Sequence, residues 1–205
     1  AGVNDFGLTV GGSSVTSGQV KTVNANTPIA LNEAGLTGYQ FVSLTGDAGC
    51  PSVLAGTATL SEGQNLHCTI TNEDQPAHII LIKHVTSDNG GSAGVNDFGL
   101  TVGGSAVNSG VTTDVNSNTA IALNEAGLTG YSFVSITGDA KCPAALGGAV
   151  TLNEGETVTC TINNDDIPAH LIVIKHVVNN NGGTTVASGF TTTITGVTTV
   201  SPTAA

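Results

Sequence analysis

The sequence predicts an all-β protein made of tandem β-sandwich domains, and three observations predict it. Short runs rich in Ile, Val and Thr alternate with Gly, Asn and Asp turns along the whole chain, with no helical periodicity. The chain repeats itself: Phe6 and Phe98, Tyr39 and Tyr131, Cys50 and Cys142, and His78 and His170 each stand 92 residues apart. A period this long is a whole small domain rather than a solenoid coil. Each repeat also carries two cysteines 18 residues apart, Cys50 with Cys68 and Cys142 with Cys160.

Taken from its most apolar strand, the complete repeat opens with His78-Ile-Ile-Leu-Ile-Lys83-His-Val85, between Pro76 and Asn89-Gly-Gly91. The same strand returns as His170-Leu-Ile-Val-Ile-Lys175-His-Val177 before Asn181-Gly-Gly183. Phe98 to Val102 and Thr119 to Leu123 follow, then the alternating strand Ser132 to Thr137, then Ala149 to Leu152, and Thr157 to Ile162 closes the unit. About seven strands at this spacing read as a sandwich. The chain therefore divides into residues 1–76, a first repeat lacking its first strand; 77–168, a full second repeat; and 169–205, either the opening strands of a third repeat or a donor strand and tail. The joints Asn72 to Pro76 and Asn164 to Pro168 are too short and proline-bound to be loose linkers.

Composition narrows the function. Four lysines, no arginine and 15 acidic residues give a net charge of −11, which speaks against nucleic acid and anionic membrane surfaces as partners. The apolar runs are too short to insert in a bilayer, and no signal peptide or sorting motif is visible, as in a mature or excised form. One cysteine pair per repeat without Cys-x-x-Cys reads as an intradomain disulfide in preference to buried free thiols, and so as an extracellular protein. Histidines recur with the lysine strand instead of gathering beside a nucleophile, and phosphate loops and Gly-x-Ser-x-Gly are missing from the sequence. No enzyme, metal site or cofactor is expected.

Strand alternation then singles out three polar residues. Lys83 shares a face with Ile79, Leu81 and Val85, although the opposite face, Ile80 and Ile82, is also apolar, so the core-facing side stays open. The lysine either snorkels to solvent or is enclosed. Glu125 shares a face with Ile121 and Leu123, and Asn164 with Cys160 and Ile162. Their counterparts in the first repeat are Glu33 and Asn72, and Lys175 lies in the C-terminal segment. An uncharged lysine amine can attack an asparagine side-chain amide and expel ammonia if a protonated carboxyl assists. Desolvation lowers the pKa of a lysine and raises that of a carboxylic acid, and confinement supplies proximity.

The lysine strand followed by Asn-Gly-Gly, the segment Leu-x-Glu-x-x-x-x-Gly-Tyr, and the closing Cys-Thr-Ile-x-Asn-(Asp/Glu)-Asp resemble the prealbumin-like (CnaB/SpaA-type) domains of bacterial and archaeal surface proteins and pilins. The resemblance covers nearly the whole chain. It implies Ig-like or transthyretin-like sandwiches in extracellular arrays and, in many members, a Lys-Asn isopeptide bond assisted by Glu; carried over, Lys83 pairs with Asn164 and Glu125 helps. The first repeat holds Glu33 and Asn72 without a lysine strand, and the C-terminal segment holds Lys175 without Glu or Asn. Head and tail are thus complementary, so residues 170–184 of one copy are expected to complete the first repeat of the next, with Lys175 within reach of Asn72. The expected function is a subunit of an extracellular or cell-surface filament whose partners are copies of itself. The alternative is a tandem stalk of a surface adhesin.

Overall fold

The computed structural model describes residues 1–196, so the end of the 169–205 segment lies outside the described residues. The chain divides into two compact units, Ala1–Pro168 and Ala169–Ala205, each considered by itself. Within the first unit the strands in chain order are β1 (Gly7–Val10), β2 (Ser13–Ser14), β3 (Ile29–Ala34), β4 (Tyr39–Gly46), β5 (Thr57–Ala58), β6 (Cys68–Asp74) and β7 (Ala77–Thr86). These are followed by β8 (Leu100–Val102), β9 (Ser105–Ala106), β10 (Thr112–Val115), β11 (Ala120–Glu125), β12 (Tyr131–Gly138), β13 (Ala149–Thr151) and β14 (Thr157–Asp166).

Strands β7 to β14 form two four-stranded sheets, in the orders β10-β7-β14-β12 and β13-β11-β8-β9. The sheets share one core, to which β7 and β14 give Ile79, Leu81, Val158 and Ile162, and the other sheet gives Leu100, Leu123 and Val150. The fold class is therefore the predicted all-β sandwich. β7 runs antiparallel to β10 and parallel to β14, with Lys83 opposite Ile162. A parallel pair needs a long crossover, and the remaining strands of the repeat supply it. The open question of the lysine strand's faces is answered by burial: Ile79, Leu81 and Lys83 are enclosed, whereas Ile80 and Ile82 are only half-buried.

Two segments behave differently from the sequence reading. The polar stretch before Val115 is the strand β10, because β7 offers Thr112 to Val115 a ladder to join. The closing strand runs on to Asp166, so only Ile167 and Pro168 remain between it and the second unit.

The first repeat reproduces this plan with two strands missing. Its β4–β6 pair has the same register and the same bulge as β12–β14, and β2-β1-β3-β5 matches β9-β8-β11-β13. Among the described residues no strand pairs with β6 as β7 pairs with β14, and residues 20–23, the counterparts of β10, form no strand. The result is a cavity of about 1090 Å³ lined by Phe6, Leu8, Leu31, Ile70, Glu33 and Asn72 among others. Leu8, Leu31 and Ile70 are only half-buried, while their counterparts Leu100, Leu123 and Ile162 are 2%, 0% and 0% exposed. In the second repeat that position lies between β10 and β14, the first and third members of the sheet; in the first repeat, where the counterpart of β10 forms no strand, it is the open edge beside β6.

In the second unit, residues 169–178 form no strand, contrary to the expectation from their sequence. Leu171, Ile172, Val173 and Ile174 are 71%, 83%, 52% and 85% exposed. A strand is defined by its ladder, and apolar alternation without a partner does not make one.

Two expected outcomes follow from this architecture. Replacing Cys142 and Cys160 together by Ala should lower the stability of the second repeat by about 3 kcal/mol, the loop-closure value for a loop of this size, as read by urea denaturation. In native-state hydrogen exchange the β6 amides should exchange faster than the matching β14 amides, because β6 lacks the ladder that β7 gives β14.

Candidate functional site

The site of the second repeat lies where its two sheets face each other. Lys83 comes from β7, and Asn164 comes from β14 two residues beyond Ile162, the residue opposite Lys83, so strand alternation aims both into the core. Glu125 is the last residue of β11 in the facing sheet, paired with Leu100 across the ladder. The Lys83 Nζ donates to Glu125 Oε2 at 2.7 Å and to Asn164 Oδ1 at 2.5 Å. The lysine and glutamate side chains are 0% and 1% exposed, so the ammonium does not snorkel.

Sequence reasoning missed one member of the site. Phe98 sits in the loop before β8 with its ring centroid 4.2 Å from Lys83 Nζ, and Tyr131 meets that ring edge-on at 5.5 Å. Alternation in the predicted strand Phe98 to Val102 puts Phe98 on the face of Leu100 and Val102, but it does not say which residue of another strand that ring meets. Burial pushes the Lys83 amine below the ordinary lysine range, and the hydrogen bond and charge of Glu125 oppose that shift only in part.

The first repeat assembles the same site without its lysine. Asn72 Nδ2 donates to Glu33 Oε1 at 2.6 Å, Glu33 is 7% exposed, and Phe6 meets Tyr39 edge-on at 5.5 Å. Lys175 belongs to the Ala169–Ala205 unit, where its Nζ lies 4.5 Å from the Phe190 ring centroid, as Lys83 lies over Phe98.

Around the site the cysteines are paired as expected, Cys50 with Cys68 and Cys142 with Cys160. A second polar cluster closes the loop after β7. The Asp166 carboxylate accepts the backbone N–H groups of Asp88 at 2.9 Å, Asn89 at 3.0 Å and Gly91 at 2.6 Å. A side chain at Gly91 would place its Cβ 2.8 Å from that carboxylate, which is why glycine stands there. Burial pushes the Asp166 carboxyl up, but the N–H groups of Gly91, Asn89 and Asp88 outweigh it and hold the acid below the ordinary range. Asp88, Asp165 and Asp166 also bring carboxylate oxygens within 4.8 Å of one another, yet both Asp166 oxygens already face N–H donors, an arrangement that serves the loop better than a cation. The His78 ring meets Asp114 at 2.8 Å, and His84 is exposed.

A two-sheet sandwich with a lysine, a glutamate and an asparagine enclosed between its sheets defines a structural β domain. Residues 74–162 and 166–205, more than half of the chain, match the family of prealbumin-like fold domains, and the chain belongs to that family. Among solved structures, the major pilin protein (T3.2) from Streptococcus pyogenes is similar at 13% identity and a TM-score of 0.31, over 68% of this chain and 67% of that one. Comparison with curated protein sequences gives no significant match. The paired disulfides are consistent with an extracellular location.

The Asp166 clamp has a pH signature. The depressed acid contributes stability that is fully present above the unfolded carboxylate range and is lost as pH falls through the lower folded value. Asp166→Asn should therefore lower stability at neutral pH and flatten the decline below about pH 4 relative to the parent chain, as measured by thermal melts across pH.

Proposed function

We propose that this chain is the structural subunit of an extracellular filament whose copies join head to tail by strand donation. In this reading residues 1–76 are a sandwich short of one strand, 77–168 a complete one, and residues 170–184 fill the open position in the next copy. One observation carries the reading: the first repeat holds a cavity, with Leu8, Leu31 and Ile70 in its lining, where the second repeat has β7, and an exposed copy of β7 lies unpaired at 169–178. Donation would bury Leu171, Val173 and Lys175 as Ile79, Leu81 and Lys83 are buried, each large apolar side chain contributing about 1.5–3 kcal/mol.

The site then acts as a fastener. Glu125 accepts a proton from the Lys83 ammonium, leaving a neutral amine against the Asn164 amide. The Nζ lone pair attacks Cγ, Glu125 passes its proton to Nδ2, the Cγ–Nδ2 bond breaks so that this nitrogen leaves as ammonia, and Glu125 takes up the second Nζ proton as the neutral amide forms. The depressed amine and the short contacts to both partners support this chemistry. In the filament, Lys175 would meet Glu33 and Asn72 of the next copy and make the same bond between chains.

Intact mass measured after reduction and denaturation should be lower than the sequence mass by one ammonia for the Lys83–Asn164 bond, and Asn164→Ala or Glu125→Ala should restore the full mass. Electron microscopy of the concentrated chain should show fibres that resist boiling in detergent, while Lys175→Met should still form fibres but lose that resistance. A chain that stays monomeric with residues 170–184 open to protease would sink the filament and leave the stalk of a surface adhesin as the better reading.

A further inference from the structure

Inside the Ala1–Pro168 unit the two repeats meet at a small, closely fitted joint. The turn at Gly38 lies against the turn at Glu154-Gly155, so near that a Cβ on Gly38 would stand 2.5 Å from the Glu154 Cβ and 2.8 Å from its carbonyl oxygen. Gln75 N–H donates to the Gly38 carbonyl at 2.8 Å, and Gly155 N–H donates to the Gln75 carbonyl at 3.3 Å. The Tyr39 hydroxyl donates to Glu154 Oε1 at 3.3 Å, and Asn118 holds the same carboxylate at 3.0 Å.

The 92-residue period makes a second set of both halves of this joint, and neither is engaged in that way. Gly130, Tyr131 and Ile167 repeat Gly38, Tyr39 and Gln75, and Glu62-Gly63 repeats Glu154-Gly155. Both spare halves are already in the jointed conformation. Ile167 N–H donates to the Gly130 carbonyl at 2.8 Å, and Asn26 holds Glu62 at 2.7 Å as Asn118 holds Glu154. The φ angles agree as well, 87° at Gly130 against 82° at Gly38, and 72° at Gly63 against 69° at Gly155. Yet nothing lies within 4 Å of a Cβ built on Gly130 or Gly63, and Ile167 is 51% exposed.

From this we infer that Gly130, Tyr131 and Ile167 of one copy seat the Glu62-Gly63 turn of a second copy, repeating between chains the joint made within one. The inference rests on the head-to-tail reading, since a donated strand beginning at Ala169 follows Pro168 as β7 follows Pro76, and so brings the acceptor repeat to the same place. It adds to that reading a surface outside the strand slot that fixes how successive subunits are oriented. The contact is heterologous, each copy using one half at each junction, and so it propagates.

The test is a designed disulfide in the full chain. A Cβ on Gly155 would lie 3.8 Å from the Gln75 Cβ, within the roughly 3.5–4.5 Å that a disulfide spans. Gly63→Cys with Ile167→Cys, in a Lys175→Met background that removes the native cross-link between chains, should give on mild oxidation a ladder of dimers, trimers and longer species that collapses with reductant. Gln75→Cys with Gly155→Cys is the control, closing within a single chain and establishing that cysteine is accepted at this positive-φ turn. Fibres that form without the ladder, or with dimers alone, while the control closes, would overturn the joint and leave strand donation standing. Absence of both fibres and ladder would bring down the head-to-tail reading and the joint with it.

Discussion

The parallel ladder between β7 and β14 is the constraint on which the second repeat depends. It places an apolar strand in the interior of a sheet, gives β10 something to pair with, and sets Lys83 and Asn164 side by side in the core. The first repeat displays the same sequence plan without that ladder. There the counterpart of β10 has no strand, the core leucines are half-covered, and a cavity replaces the packed layer. Because both repeats have nearly the same remaining residues, the difference between them isolates what one strand contributes.

An ammonium enclosed between two sheets is costly unless it is paired, and even a paired buried charge is weak evidence for stability, since well-packed apolar residues often serve as well. Lys83 is fully enclosed with Glu125 and Asn164 as its hydrogen-bond partners and an aromatic ring against it. Such a group makes better physical sense as a reactant than as a structural ion pair. The proposed conversion to an amide would remove the charge and tie the first strand of the repeat to its last, so that pulling on the chain would load a covalent bond instead of a ladder of hydrogen bonds.

The repeats are also joined through their backbones. At Gly38 and Glu154 the chains approach so closely that glycine is required, and hydrogen bonds through Gln75 hold the turn in place. A joint of this kind carries orientation more than affinity. In the proposed filament affinity would come from the strand, whose exposed Leu171 and Val173 correspond to the buried Ile79 and Leu81 and would face the cavity of the first repeat.

Composition, period and alternation were sufficient to determine the all-β sandwich, the cysteine pairs, and the faces on which Lys83, Glu125 and Asn164 lie, because side chains of a strand alternate whatever the strand packs against. Only the tertiary structure decided which apolar face of β7 is covered, since both are apolar and the choice is made by the sheet opposite. It also decided that Thr112 to Val115 is a strand and that residues 169–178 are not, because a ladder belongs to two strands and a single segment cannot specify its partner. Phe98 over the lysine and Gly38 against Glu154 were likewise settled there, for which residue of a distant element a ring or a turn meets depends on chain paths that no local periodicity records.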